Sequence, residues 1–352
     1  MQGSFLVEIF DRNFVFLSKM MVKKQKYEYD YMALNNNSLV IPGILKVYRN
    51  NYIRIVSDDG EFQGIITAVE NKMKETIIQY KALLSILDVD VYKDRTALKG
   101  MTVESFIVEM IEENFVTNED ALQNIPGFII EKTSETSNGA LNLKDDIHNI
   151  YDLIISAFRK YEIVADMKLD FMKKCIRCTI GKRSFKQKTI EGDLKNVLEL
   201  NITKKDDSES VNKAVIIGSY SEESELFGQT VARTFYLDKQ TGEITQTPLL
   251  RVVPVVFRYK IIEIKEETFE EDAYQEAYDL IYQEKYDNEI KVKLTKNDSL
   301  HKVHDFGIGQ TCIVIKNGML YETVFTGYIM DEVVTLIFGM IRVEYTKNLR
   351  RR

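Results

Sequence analysis

Apolar and polar residues alternate with period two through much of residues 1–98. Phe5, Val7 and Ile9 fall on one face of such a strand, and Tyr27, Tyr29 and Tyr31 on one face of another. Polar turns cut the alternation at Asp11-Arg12-Asn13, Asn35-Asn36-Asn37, Pro42-Gly43 and Asp58-Asp59-Gly60. The Asp-Gly pair lies between two apolar runs and signals a hairpin. Further strands are predicted at 75–80 and 83–91. Many short strands at regular spacing predict a small antiparallel barrel or sandwich over 1–98.

The period then lengthens. Val103, Phe106, Ile107, Met110 and Ile111 recur at helical spacing, with Thr102 as N-cap. A second stripe joins Ile147, Ile150, Tyr151, Ile154, Ile155 and Phe158 behind Asp145-Asp146. Strands follow at about 161–170 and 174–181, so 99–190 reads as an α+β domain. Alternation returns over 191–219 and again over 287–352, with a hairpin turn at Asn317-Gly318. Between them, 220–286 reads as an inserted α+β segment. Its helix opens on a capping box, Thr268 to Glu271, and loop closure costs little when such a segment interrupts a domain.

The two β regions resemble each other. Each runs Ser-Leu, loop, strand, Asp/Asn-Gly hairpin, a strand containing Thr, an acidic turn and a last apolar strand. Thr67 precedes Thr76 as Thr326 precedes Thr335. The expectation is one barrel built twice, first from 1–98 and again from 191–219 with 287–352. The fold class is α+β, mainly β: two similar antiparallel β-barrel domains plus α+β domains.

The 352 residues suit two to three domains at ~150 each. Net charge is −7, with 47 Lys and Arg spread along the chain, which disfavours a dedicated nucleic-acid binder. Three cysteines do not make a secreted disulfide framework. The N-terminus lacks the basic and long apolar regions of a secretory signal. No apolar run approaches the ~18 residues of a membrane span.

Candidate chemistry is sparse. Cys175 and Cys178 form a CxxC that His301, His304 or Cys312 could complete as a zinc site. The pair sits in a strand-like stretch, however, where i and i+3 point to opposite faces, so no metal is expected. No GxSxG, HExxH or P-loop occurs. The carboxylate pairs Glu112-Glu113 and Glu266-Glu267 read as solvated surface. The basic run Lys168, Lys173, Lys174, Arg177, Lys182, Arg183, Lys186 and Lys188 holds only Phe171 and Phe185 as aromatics. It reads as a solvated face or one meeting an acidic partner. Tyr274, Tyr278 and Tyr282 read as core or interface. No catalytic, cofactor-binding or metal-ligating residue is assigned, and no cofactor.

The domain order, with FQGIIT at 62–67, SVNKAVIIG at 210–218 and YDNEIKVKLTKNDSLHKVHDFGIGQTCIVI from Tyr286 to Ile315, resembles the tail hub proteins of bacteriophages. That resemblance implies a non-enzymatic structural hub of a phage or prophage tail tip or baseplate. It implies a homotrimer in the assembled tail, with an isolated chain that can be monomeric. Two barrels per subunit would form a pseudo-sixfold ring and part of the channel for genome passage. Implied partners are a distal tail protein or tail tube, a tape measure protein, and tip or receptor-binding proteins. No sequence-specific nucleic-acid binding is implied. The place would be the virion, after synthesis in the host bacterial cytoplasm. Many relatives continue into a hydrolase or receptor-binding segment, whereas this sequence stops at Arg352. The rival readings are a tail-associated cell-wall hydrolase, which needs a carboxylate of raised pKa in a cleft, and a receptor- or carbohydrate-binding protein, which the absence of Trp disfavours.

Overall fold

A computed structural model describes residues 4–23, 25–98, 101–134, 141, 146–204, 211–238, 244–248, 257–264, 269–281, 286–295, 298 and 300–342. The chain divides into two compact units. One is Met1–Thr203 with Asn288–Arg352, the other Lys204–Asp287.

In the larger unit, strands β1 (Ser4–Phe10), β2 (Phe16–Lys23), β3 (Tyr27–Asp30), β4 (Asn37–Pro42), β5 (Tyr52–Val56), β6 (Glu61–Asn71) and β7 (Glu75–Ala82) follow the alternation. Six of them form one sheet, ordered β2-β1-β5-β6-β7-β4. Phe5, Val7 and Ile9 are fully buried on its inner face. Each such side chain contributes about 1.5–3 kcal/mol by leaving water. The strand expected at 83–91 is instead a 3-10 turn, Leu83–Leu87, burying Leu83, Leu84 and Leu87. Only the short β8 (Asp90–Tyr92) follows it.

The middle of this unit carries α1 (Val103–Phe115), β9 (Phe128–Lys132), β10 (Ile147–Asn149), α2 (Ile150–Tyr161), β11 (Ile163–Asp170) and β12 (Cys175–Lys182). The apolar stripe of α1 is buried along its whole length, and Thr102 Oγ1 accepts from Ser105 N at 3.2 Å as its cap. Ile147 departs from the expected α2 stripe: it lies on β10 and is two-thirds exposed. The N-cap is Asn149, not the Asp145-Asp146 pair. Its Oδ1 accepts from Asp152 N at 3.2 Å, and Asp145 lies outside the described residues. β12 pairs antiparallel with β11 and parallel with β9.

This α+β lobe is fastened to the end of β3 and to the first sheet. Ala165 N donates to Tyr31 Oη at 2.8 Å, and Tyr151 Oη donates to the Tyr31 carbonyl at 3.1 Å. At the β11–β12 turn, Phe171 packs against Phe10 with ring centroids 4.3 Å apart and planes tilted by 35°, and the Arg54 guanidinium lies 5.5 Å from its centroid.

Next come β13 (Lys188–Glu191) and β14 (Val197–Lys204). The smaller unit then holds β15 (Lys213–Ser219), β16 (Thr230–Leu237), β17 (Ile244–Thr245), β18 (Phe257–Glu263) and α3 (Phe269–Ile281). The chain returns to the larger unit with β19 (Asn288–Leu294), β20 (Thr311–Lys316), β21 (Met319–Met330) and β22 (Val334–Phe338).

A second sheet of the larger unit is ordered β13-β20-β21-β22-β19-β14, with β3 pairing onto β21. Two assignments made from sequence move as a result. β13, expected to close the α+β domain, pairs in parallel with β20. Residues 27–30, expected in the first barrel, join the second sheet. The inner faces of both sheets meet in one hydrophobic core running from Phe5 to Phe338. Tyr27 sits at their junction, its ring 5.3 Å from Phe5, 5.4 Å from Phe62 and 6.2 Å from Tyr328.

Within the smaller unit the sheet order is β17-β16-β15-β18. β15 was expected among the strands of the second barrel. It pairs instead with β16 and β18. Alternation identifies a strand but not the sheet it joins. Phe269, Ala273, Ala277 and Ile281 of α3 pack on this sheet against Ala214, Ile216 and Phe235. Gly218 permits the approach, since a Cβ there would stand 2.4 Å from the Phe269 ring.

Candidate assembly interface

The larger unit contains one four-stranded pattern twice. The order β5-β6-β7-β4 recurs as β20-β21-β22-β19. The hairpins match in register, Tyr52 opposite Ile65 in one and Thr311 opposite Val324 in the other. Each long strand then slips past its neighbour, between Ile66 and Ala68 in β6 and between Phe325 and Gly327 in β21. The bulged residues are Thr67 and Thr326, which the sequence comparison aligned.

The backbone before each bulge is also the same. Asn50 N donates to Ile66 O at 2.7 Å and Ile66 N to Asn51 O at 2.9 Å. Their counterparts are Gly309 N to Phe325 O at 3.0 Å and Phe325 N to Gln310 O at 2.9 Å. Both Asn50 (φ 69°) and Gly309 (φ 85°) take the left-handed conformation that Asn and Gly tolerate best. The buried side chains of Asn51 and Gln310 accept from Tyr48 N at 2.7 Å and Gly307 N at 3.1 Å.

Beyond the bulges the modules part. β21 receives β3, with Gly327 opposite Asp30 and Met330 opposite Tyr27. Tyr31 N donates to the Thr326 carbonyl at 2.8 Å. Gly327 makes room, because a Cβ there would lie 2.2 Å from the Tyr29 carbonyl oxygen. Arg342 locks the joint. Its Nε and Nη2 each donate to the Asp30 carboxylate at 2.6 Å, and Nη2 also donates to Thr326 Oγ1 at 2.8 Å. The Asp30 side chain is 4% exposed, so this ion pair lies where removing one partner strands a buried charge. Next to it, burial and the neighbouring Asp30 raise the Glu28 carboxyl above its ordinary pKa.

β6 ends otherwise. Among the described residues its Ala68–Asn71 segment pairs with β7 alone, and Ala68, Glu70 and Asn71 are exposed. Among the described residues Thr67 Oγ1, which is buried, finds no hydrogen-bond partner. Neither Asp30 nor Arg342 was singled out from sequence. No local pattern links residues so far apart, and only the Thr67–Thr326 correspondence pointed toward the joint.

The other sequence candidates are scattered. Cys175 and Cys178 occupy β12 opposite Asp170 and Met167, on opposite faces of the strand. Burial pushes the Cys178 and Cys312 thiols up to about 12. His301 and His304 lie in the loop before β20. Part of the basic run is paired within the chain: Arg183 and Lys168 both meet Asp166, and Arg177 reaches Glu131 at 3.6 Å. Lys188 Nζ lies 4.3 Å from the Phe306 ring centroid. Glu113 is bridged by Lys93 at 2.8 Å. Glu266 and Glu267 lie outside the described residues. On α3 the core face is the Ala273 and Ala277 stripe, whereas Tyr274 is 40% exposed and Tyr282 lies outside the described residues. A groove of about 580 Å³ is lined by Glu199 of β14, Lys291 and Lys293 of β19 and Asp331 of the β21–β22 turn, which give it mixed charge.

No family model matches the sequence, and a search of curated protein sequences finds no match. Solved structures do match. The chain is similar to a protein in the phage P2 baseplate in its activated conformation with Ca, at a TM-score of 0.52 and 12% identity. That match covers 97% of this chain and all of the other (100%). It is similar to prophage tail protein gp18 from Listeria monocytogenes EGD-e, at 0.50 and 8% identity, over 98% of this chain and 97% of that one. A chain of the Francisella PdpA-VgrG complex aligns at 0.50 and 10% identity, covering 98% of this chain and 59% of its own length. The fold is therefore that of phage baseplate and prophage tail proteins, mainly β with several sheets.

Proposed function

We propose that this chain is a non-enzymatic structural hub of a phage or prophage tail tip or baseplate, located in the virion. The observation that carries the reading is the duplicated module with its shared bulge. A subunit holding two similar half-barrels or barrels can present six like units from three copies. It can therefore join a sixfold tail tube or distal tail ring to a threefold tip. The similarity of fold to baseplate and tail proteins supports the same role. On this reading the assembled trimer encloses an axial passage for the genome, lined by acidic or neutral residues that do not hold phosphate. A distal tail protein, a tape measure protein and tip or receptor-binding proteins would be its neighbours.

The boundaries proposed for the two repeats follow the sheets. The first is β4 to β7 with β1 and β2, and the second is β19 to β22 with β13 and β14. The test is to mix the chain with its sixfold ring protein and measure stoichiometry by native mass spectrometry. Three copies of this chain per six ring subunits are expected, and six copies would reject the reading.

A further inference from the structure

We propose that the outer edge of Ala68–Asn71 accepts an extended strand, β14, from a second copy of this chain, as β21 accepts β3. The proposal deepens the ring reading and rests on it for the number of copies.

The hydrogen-bonding groups are already aimed outward. In β21 the bond from Tyr31 N to Thr326 O sets the alternation, so the main chain of Thr326, Tyr328 and Met330 faces β3. At the matching positions of β6, the main chain of Thr67, Val69 and Asn71 faces away from β7. The bond from Lys72 N to Glu75 O, at 2.8 Å, places the alternate set toward β7. An exposed strand edge of this kind is a template for another strand. The buried, unpartnered Thr67 Oγ1 marks the spot where Thr326 is held by Arg342 in the filled joint.

The internal joint also points to the occupant. β3 borders β4 through side-chain brackets. Asn37 bonds both the amide and the carbonyl of Glu28, at 2.8 and 2.9 Å, and Gln25 bonds both main-chain groups of Val40, at 2.8 and 2.9 Å. β19 is the counterpart of β4, and β14 borders it, with Thr295 N donating to Asn196 O at 2.8 Å. β14 thus borders the second module at the place where β3 borders the first, with main-chain pairing in place of the side-chain brackets. Among the described residues its sheet partner is β19, the Leu200 carbonyl also accepts from Lys316 Nζ at 3.1 Å, and Leu198, Glu199 and Asn201 are exposed. One copy holds an open acceptor in its first module and a donor strand in its second. Head-to-tail joints of that kind close into a ring where the rotation between copies closes, as the ring reading requires.

Besides the missing Arg342 clamp, one methyl group distinguishes the two acceptors. Ala68 carries a methyl where Gly327 leaves space for the Tyr29 carbonyl. The joint between copies is therefore looser than the internal one, and it fills when a ring template or crowding raises the local concentration.

A photo-cross-linking residue in place of the exposed Glu70 tests this, in the full chain at rising concentration and in the native particle. The expected product joins two copies through residues 197–204. Val69→Pro removes an outward N–H and should abolish the product, and Ala68→Gly should raise its yield about tenfold. If Val69→Pro does not fold, Ala68→Lys puts a charge on the edge without touching the core and should suppress the product. Links only within one chain, links to another protein or another segment, or a yield unmoved by these variants would overturn the proposal. A three-copy ring without the link overturns the proposal and leaves the hub reading standing. The link in an assembly of another copy number does the reverse.

Discussion

The two bulged strands of the larger unit begin alike and finish differently. β6 and β21 share strand order, hairpin register, a threonine bulge and the backbone bonds that precede it. Past the bulge, β21 is covered by β3 and clamped by Asp30 and Arg342, while among the described residues no strand covers the β6 edge, where Ala68, Glu70 and Asn71 are exposed. One strand order thus carries two different edges, one covered and clamped by an ion pair and the other exposed.

Breaking the clamp should give the largest effect. Arg342→Ala leaves the Asp30 carboxylate buried and unpaired, and it should lower stability in chemical denaturation by about 3–5 kcal/mol. Gly327→Ala comes next. Its methyl meets the Tyr29 carbonyl and pushes β3 off β21, at about 1–3 kcal/mol. Loss of hydrogen-exchange protection should be confined to 27–30 and 327–330.

The bulged threonines sharpen the contrast. Thr326→Val takes an acceptor from Arg342 and should cost about 1–3 kcal/mol in thermal or denaturant unfolding. Thr67→Val removes a hydroxyl that is buried without a partner, so stability should hold or rise slightly. Equal losses at both sites would mean that the two bulges are alike after all.

Acid should separate the modules by a smaller margin. Burial raises the Glu61 carboxyl, but hydrogen bonds from Arg54 at 2.7 Å and Gln63 at 2.6 Å outweigh it and hold it below its ordinary value of 4.5. A depressed folded-state pKa stabilises above the unfolded value and is lost as pH falls through the folded one. The group is about one-third exposed, so under about 1 kcal/mol is at stake. Hydrogen exchange below about pH 4.5 should loosen the β5–β6 hairpin before β20–β21.

Where local chemistry decides, the sequence was readable. Phe5, Val7 and Ile9 had to face a core, and the α1 stripe and its Thr102 cap are set within a few residues. Thr67 and Thr326 matched because both hairpins keep one register. Thr76 and Thr335 did not. The β21–β22 turn is one residue shorter, Met330 opposite Val334 against Asn71 opposite Thr76, so Val334 takes the place of Thr76. The shared Ser-Leu also misleads. Leu39 is buried in β4, while Leu300 is exposed in a loop and Ser299 lies outside the described residues. Long-range choices were invisible for a common reason. Nothing local tells β3 to cross to β21, β15 to leave the second sheet, or Arg342 to find Asp30.

The central claim is that one chain supplies two like modules to a ring. The direct measurement is imaging of the assembled particle at a resolution that separates strands. The account predicts three copies around an open axis, first and second modules alternating at six equivalent positions. Six copies each placing only one module in the ring, or a closed disc without an axial passage, would contradict it.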